Sequence, residues 1–555
     1  MLQLIALAYF LVGSVIATSL PTGTTLNGTY TGVYSTSFEQ DFFLGIPYLQ
    51  APVDDRRFHP ADSLTSSWNG TRNATAYAPS CVGYGPSDRP DDMSEDCLYL
   101  NIVRPHHHTS TTTDLLPVVI YFHGGGFSGG SARDGRYNLS SFVARSVQQE
   151  QPVIAVSFNY RLSAWGFLYS NQIRDTGATN VGLRDQRYAL QWVQENIAGF
   201  GGDPQQVTVW GQGAGASSVG FQLTAYAGRD DGLLRGAILQ SGNPVPARGL
   251  NGTQYFQPLY DALAQQMVPG KDTCWVSPDR MACLRTVPFA EMNAAINATS
   301  PHGWFPVIDG DIVSEQPSRS LYTRKFVPVP IILGAATDEG TAQMPAEFEL
   351  TDGAYLDPQS YGVAPGIALP QVLVDQITAA YANVSSVPAV KARLYQGDAA
   401  VIANRRQACA TWSRNNVTSY CYRWNVALDA AQRSAQHGDE LPFVFDNTRG
   451  TGYEHNPLST ESLVELAAQV SGSWVSFVAT LNPNAWKTAT NSSVVATSIT
   501  SKGGIPIWPR YGAPHQYALA FQANGTSYVE EDTWRATPIR LINGPPSGIA
   551  VAYQR

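Results

Sequence analysis

Charged residues are scarce in this 555-residue chain, and basic residues are the scarcer kind. Charged side chains make up 14% of the sequence, and the formal net charge is −9. Proteins that bind nucleic acid or an anionic membrane surface need a basic patch, so we expect no nucleic-acid partner. No linker, charge block or internal repeat divides the chain. We therefore expect one large domain over residues 20–555, not the three or four that ~150 residues per domain would suggest.

Metal-binding motifs are also missing, since neither CxxC nor HExxH occurs. We predict no metal and no cofactor. No cysteine lies in a setting typical of an activated thiol. The six cysteines form close pairs along the chain, for which sequential pairing is the simplest of 15 arrangements: Cys81 with Cys97, Cys274 with Cys283, and Cys409 with Cys421.

The N-terminus predicts export. Residues 2–16 are apolar and small residues follow, which is typical of a signal peptide over residues 1–19, although a basic start is missing. A membrane anchor is the alternative, but the run is shorter than the ~20 residues that a spanning helix needs. Ten N-x-[ST] sequons support a secreted glycoprotein: Asn27, Asn69, Asn73, Asn138, Asn251, Asn297, Asn383, Asn416, Asn491 and Asn524.

The segment VTVWGQGAGASSVG, residues 207–220, is the centre of the functional prediction. Its β-branched start predicts a buried strand, which breaks at a glycine-rich turn and continues as a helix of small residues. Strand, sharp turn and helix are the layout of the nucleophile elbow G-x-S-x-G of α/β-hydrolases. Gly213 stands where that motif has its serine.

A second glycine-rich segment follows the apolar run 115–122, in the sequence HGGGF at 123–127. An ordinary glycine-rich turn is the simpler interpretation. After a buried strand and before an elbow, however, HGGG matches the oxyanion-hole motif of lipases and esterases. Strands alternate with helical segments along the chain, which predicts a large, mostly parallel, doubly wound sheet with helices on both faces and long insertions.

The chain resembles the type-B carboxylesterase/lipase family, which includes cholinesterases and fungal secreted esterases. The motifs that carry the resemblance extend over the whole expected mature chain: EDCLYLNI at 95–102, HGGGF at 123–127, NYR at 159–161, GLRDQ at 182–186, FGGDP at 200–204, FPVIDG at 305–310, DEG at 338–340, HGDELPF at 437–443 and WP at 508–509.

The resemblance implies an α/β-hydrolase fold and assigns the site residues. It makes Glu339 the acid and His437 the base, whereas the residues alone leave Asp338 as a rival acid. It assigns the oxyanion donors to the N–H groups of Gly125, Gly126 and Ala214. It also supports the pairs Cys81–Cys97 and Cys274–Cys283, while Cys409–Cys421 depends on spacing alone.

Gly213 has no side chain with which to form an acyl-enzyme, and Ser217 and Ser218 are the nearest hydroxyls. Three interpretations stay open: an enzyme that uses His437 and Glu339 without a serine, for hydrolysis, elimination, isomerisation or cyclisation; a ligand- or protein-binding homologue without activity; or an altered residue in an ordinary carboxylesterase. We expect a small-molecule substrate of ester or lactone type, such as those of secondary metabolism. The sequence does not indicate an oligomeric state.

Overall fold

A computed structural model describes residues 20–544 except 86–91, 107–113, 246–249, 269–271, 300–302, 342–370, 430–431, 433, 489–503 and 513. The predicted signal peptide and Asn491 lie outside the described residues.

An eleven-stranded sheet organises the described residues. Its strands in chain order are β1 (Val33–Ser35), β2 (Gln40–Pro47), β3 (Tyr99–Pro105), β4 (Leu116–Phe122), β5 (Ile154–Phe158), β6 (Gly202–Gln212), β7 (Gly236–Gln240), β8 (Ile331–Ala336), β9 (Ser419–Trp424), β10 (Tyr517–Phe521) and β11 (Tyr528–Glu531). Smaller sheets join Thr22–Thr24, Thr29–Thr31 and Thr71–Asn73, and Ser80–Cys81 with Met93–Ser94.

The strand order in the large sheet is β11-β10-β9-β8-β7-β6-β4-β5-β3-β2-β1. Pairing is parallel from β10 to β5 and antiparallel at both margins. The expected α/β-hydrolase architecture, mostly parallel and doubly wound, is therefore confirmed. The chain reverses direction across the sheet at β4, since β5 lies on one side of it and β6 on the other.

Helices cover both faces of the sheet. They are α1 (Ser140–Gln148), α2 (Ser163–Phe167), α3 (Asn171–Asp175), α4 (Val181–Asn196), α5 (Ala214–Gly228), α6 (Gly252–Tyr255), α7 (Gln257–Gln266), α8 (Arg280–Thr286), α9 (Phe289–Thr299), α10 (Pro317–Tyr322), α11 (Gln371–Ala382), α12 (Pro388–Gly397), α13 (Ala403–Arg414), α14 (Leu441–Val444), α15 (Glu461–Thr480) and α16 (Ala536–Ile542). A π-helix, Asp398–Ile402, joins α12 to α13.

The apolar sequence of β4 follows from its position between two hydrophobic layers. Val118 and Ile120 belong to the layer that contains residues of α4 and α5. Val119 and Tyr121 belong to the opposite layer, which contains residues of α1 and α15. A strand that is covered on both faces needs apolar side chains at consecutive positions rather than in alternation.

Disulfides join Cys81 to Cys97, Cys274 to Cys283 and Cys409 to Cys421. Within the described ranges, no helix has the length and apolar character that crossing a membrane requires.

Candidate active site

Two loops meet where the strand order reverses. Phe122, the last residue of β4, lies opposite Gly211 of β6 in a parallel pair. The loops after both strands therefore begin at the same level and on the same edge of the sheet. In open α/β sheets, ligands bind at such a switch point, beyond the carboxyl ends of the strands. The HGGG segment and the GQGAG segment are thus neighbours.

The GQGAG turn has the backbone shape of a nucleophile elbow. A Cβ on Gly215 would lie 2.0 Å from the carbonyl oxygen of Phe122, and one on Gly211 would lie 2.4 Å from the backbone of Gly215. Gly213 between them has φ +57° and ψ −122°, a conformation that L side chains rarely adopt. The outer glycines are therefore required by close backbone contacts, and the middle position has a conformation that glycine adopts freely but that would strain a residue with a side chain.

The predicted oxyanion donors are available for a ligand. Gly125 and Gly126 form an exposed turn with φ of +117° and +65°. The carbonyl oxygen of Gly125 accepts the N–H groups of Ser128 and Gly129, whereas the N–H groups of Gly125 and Gly126 meet no acceptor in the described part of the chain. Ala214 is the first residue of α5, where an N–H has no partner within the helix. N–H groups of this kind bind an anionic oxygen well.

His437 lies in the loop after β9, between a buried carboxylate and the elbow. Its Nδ1 is 2.7 Å from Oε2 of Glu339, a side chain with no exposed surface. Oε1 of Glu339 accepts the backbone N–H of Ala336 at 2.5 Å. Because a carboxylate only accepts, Nδ1 carries the proton, and Nε2 of the neutral ring is an acceptor. A Cβ on Gly213 would lie 3.0 Å from that Nε2, so the basic nitrogen faces the nucleophile position.

A parallel bridge between Asp338 and Gln436 joins the loops that carry Glu339 and His437. The Asp338 carboxylate, the rival acid in the sequence, accepts the N–H and the hydroxyl of Thr341 at 3.0 and 2.5 Å. Asp338 therefore stabilises its own turn, and Glu339 is the acid that contacts the imidazole.

Two further carboxyl groups near His437 were missed by the sequence reasoning. Oε1 of the buried Glu440 accepts the amide N–H of Gln240 at 3.0 Å. Burial, and then the charge of Glu339, raises the pKa of Glu440 to about 7, and burial raises the pKa of Asp439 to about 6. Burial lowers the pKa of His437, but attraction to these three carboxyl groups outweighs it and holds the pKa above its ordinary value of 6.5. The segment HGDELPF shows the two acids but not their burial.

Gln212 is the other residue that the sequence reasoning missed. It ends β6, is 4% exposed, and places its amide Nε2 3.0 Å from Nε2 of His437. The position of Gln212 next to the elbow in the sequence was a signal that it lies in the site. Its contact with His437, 225 residues away, has no sequence signature.

Within the described residues, neither alternative hydroxyl is hydrogen-bonded to the base. Ser218 has no exposed surface, and its hydroxyl accepts the amide N–H of Gln186 at 2.9 Å. Ser217 is one turn into α5, and its backbone N–H donates to the carbonyl oxygen of Gly213 at 3.0 Å. Within the described residues, the hydrogen bonds of the His437 ring go to Glu339 and Gln212.

The described parts of the chain contain no group of three or more His, Cys, Asp or Glu side chains arranged to hold a metal ion.

Nine of the ten sequon asparagines are described, and none of these is fully buried. The exposed ones are Asn69, Asn73, Asn297, Asn383, Asn416 and Asn524, and the partly buried ones are Asn27, Asn138 and Asn251.

Known proteins share both the sequence and the fold. The model of the Carboxylesterase family matches residues 13–535. A secreted lipase of Arthroderma benhamiae is 31% identical over 481 residues, which are 82% of each chain. The fumonisin B1 esterase of Sphingopyxis macrogoltabida is 32% identical over 451 residues, 78% of each chain. The solved structure of Aspergillus niger EstA matches with a TM-score of 0.77 at 27% identity, over 94% of this chain and 98% of EstA. The chain therefore belongs to the carboxylesterase family of ester hydrolases.

Proposed function

We propose that this chain is a secreted esterase that hydrolyses small carboxylic esters by direct attack of water, with His437 as the general base. The orientation of His437 carries the proposal. Glu339 holds its Nδ1 at 2.7 Å, and its Nε2 lies 3.0 Å from the Cβ position of Gly213. Glycine forms no acyl-enzyme, but an imidazole oriented in this way still accepts a proton from a water molecule.

The proposed reaction has two stages. The N–H groups of Gly125, Gly126 and Ala214 bind the carbonyl oxygen of the ester. Water attacks the carbonyl carbon, its proton passes to Nε2 of His437, and the carbonyl oxygen becomes an oxyanion. The bond to the alcohol oxygen then breaks, and His437 returns the proton to that oxygen. The products are one acid and one alcohol.

A slow enzyme is expected. Removing the nucleophile of a serine hydrolase costs about 10⁶-fold in rate, while the oxyanion hole and substrate binding retain about 10³–10⁴-fold over water. The loss of rate applies here because Gly213 replaces the nucleophile. The contribution of the oxyanion hole should remain, because the chain keeps Gly125, Gly126 and Ala214.

Soluble esters are the favoured substrates. The Cys81–Cys97 loop, CVGYGPSDRPDDMSEDC, is polar and rich in acids, glycine and proline. A segment that opens on a lipid surface needs an apolar face. A polar loop supports small esters or lactones over bulk lipid.

Secretion is supported by three disulfides, by the exposure of the sequon asparagines, and by relatives that are named secreted lipases. Disulfides persist in oxidising compartments. Treatment with a peptide N-glycosidase is expected to lower the mass of protein from the culture medium, and an unchanged mass would contradict glycosylation.

The decisive experiment compares the native protein with His437→Gln on p-nitrophenyl acetate and butyrate. We expect His437→Gln to lower kcat/KM by about 10²-fold, at the low end for loss of a general base. His515→Gln is the matched control, because that histidine is 59% exposed and pairs with Glu531 at 3.6 Å; it should change nothing. Intact mass during turnover should show no acyl adduct. Equal activity of His437→Gln, or an acylated serine, would overturn the proposal.

A further inference from the structure

The side-chain amide of Gln212 contacts Nε2 of His437, the nitrogen that accepts the proton of water in the proposed reaction. Its Nε2 lies 3.0 Å from Nε2 of His437. Glu339 accepts from the opposite side of the ring, so Nε2 of the neutral imidazole has only a lone pair to offer. An amide nitrogen only donates. The N–H of Gln212 therefore binds the lone pair of the base.

Glycines lie on both sides of this amide, and the one at 124 leaves it space. A Cβ on Gly124 would lie 3.0 Å from Oε1 of Gln212, and one on Gly438 would lie 3.8 Å from its Nε2. Gly124 belongs to the loop after β4 and Gly438 follows the base itself. The carboxamide thus lies between the oxyanion loop and the base loop, at the centre of the site.

We infer that Gln212 is a positioning residue. In the resting protein its amide N–H is hydrogen-bonded to Nε2 of His437, and it competes with the attacking water for that nitrogen. This inference rests on the proposed function. Water gains access to Nε2 when the amide turns away. The glycine at position 213 strengthens the competition, because it offers the imidazole no hydroxyl of its own.

The charges around the ring make this role measurable. The groups that shift the pKa of His437 are carboxyl groups: Glu339 from the loop after β8, and Asp439 and Glu440 from its own loop. Each of them favours the charged imidazolium. A donated N–H favours the neutral ring instead, because a protonated Nε2 has no lone pair to accept it. Within the described residues, the His437 ring is hydrogen-bonded to Glu339 and Gln212. The bond from Gln212 lowers the pKa of the ring, whereas the carboxyl groups raise it.

The test uses two near-isosteric variants and a control from the same strand. Gln212→Met removes the donor, and Gln212→Glu replaces it with an acceptor. Gln205→Met, at the exposed end of β6, controls for the residue change. The first readout is the titration of His437 in protein labelled with ¹⁵N-histidine, assigned by the signal missing from His437→Gln. The second is the pH profile of p-nitrophenyl acetate hydrolysis.

We expect Gln212→Met to raise the His437 midpoint by about half a pH unit and the rate at the alkaline plateau by about 3-fold, as for loss of one competing hydrogen bond. Gln212→Glu should raise the midpoint further and lower the rate at pH 7 by about 10-fold, since an acid beside Nε2 favours the imidazolium. Gln205→Met should match the native protein.

The outcomes separate the two proposals. An unchanged His437 titration in both folded Gln212 variants would overturn the role of Gln212, whatever their activity. The expected titration shifts with no faster plateau in Gln212→Met would keep the contact but overturn the competition with water. Hydrolysis that is independent of His437 in every variant would overturn the proposed function while the titration still reports on Gln212.

Discussion

The base side of the site, His437 and Glu339, and the nucleophile side, the turn around Gly213, differ in what they retain of a serine hydrolase. On the base side, the side chains that are proposed to act are kept: Nδ1 of His437 lies 2.7 Å from Oε2 of Glu339. On the nucleophile side only the backbone is kept: Gly213 has φ +57° at the tip of the turn, but no side chain.

The difference shows that the elbow is a property of the backbone contacts around it. Gly211 and Gly215 let β6 and α5 approach each other and the end of β4, and these contacts do not involve the side chain of residue 213. The turn conformation at the tip therefore persists without the serine that stands there in other hydrolases, and glycine adopts it without strain. The base side also has backbone support, from the bridge between Asp338 and Gln436, but its proposed role depends on the hydrogen bond between the side chains of His437 and Glu339.

The substitution Gly213→Ser should have the largest effect, because it gives the nucleophile side the side chain that it lacks. We expect kcat/KM for p-nitrophenyl acetate to rise by about 10³-fold, less than the ~10⁶-fold cost of losing a triad nucleophile. The shortfall has two causes: the new Cβ lies 3.0 Å from Nε2 of His437, and Gln212 competes for that atom.

Gly213→Ala is the control, since it adds the same Cβ without a hydroxyl. A fluorophosphonate probe should label Gly213→Ser and leave the native protein and Gly213→Ala unlabelled. No gain in hydrolysis and no labelling in a folded serine variant would show that the base side is not competent.

A stability measurement sharpens the contrast within the elbow. Gly215→Ala should lower the free energy of unfolding by about 3 kcal/mol, because its Cβ would lie 2.0 Å from the carbonyl oxygen of Phe122. Gly213→Ala should cost about 1–2 kcal/mol, mainly from the left-handed backbone, because its Cβ meets only the His437 ring, at 3.0 Å. Urea unfolding of both variants measures the difference, and equal losses would contradict the distinction between the two positions.

On the base side, Glu339→Gln should lower the rate by about 10²-fold, because the amide no longer stabilises the imidazolium or selects the tautomer. The midpoint of the pH–rate profile should also move to lower pH, since Glu339 is the main group that raises the pKa of His437. The native profile should rise with pH through a midpoint above 6.5. A midpoint that does not respond to Glu339→Gln would exclude His437 as the titrating base.

The smallest expected effect concerns Glu440, whose pKa is raised from 4.5 to about 7. The folded protein binds this proton more tightly than the unfolded chain, so the native protein loses stability as pH rises from 4.5 through 7. Glu440→Gln removes that titration and should stabilise the protein by about 2 kcal/mol at pH 8, below the ~3 kcal/mol that the whole shift would give. Thermal unfolding at pH 8 and pH 4.5 checks this prediction, because the gain should vanish at the lower pH.

Much of the architecture follows from local patterns. The continuous apolar run of β4 predicts a strand covered on both faces, and the structure has a hydrophobic layer on each side of it. Helical periodicity over residues 184–198 predicts a helix, and the structure has α4, Val181–Asn196, with a 3₁₀ turn, Ile197–Phe200, after it. Its start differs because Asn180, in a left-handed conformation, precedes the first turn. Such starts depend on a single residue's backbone angles, which periodicity does not report.

The sequence by itself determined the fold, the elbow and the glycine at its tip, because hydrophobic periodicity and glycine spacing act through neighbours in the chain. Local patterns did not choose between the adjacent acids Asp338 and Glu339; the family resemblance favours Glu339, and the tertiary structure shows its contact with His437. Tertiary structure alone decided that Gln212 reaches the base and that Glu440 is buried. These contacts join loops from separate strands, so they exist only once the sheet has brought the carboxyl ends of those strands together.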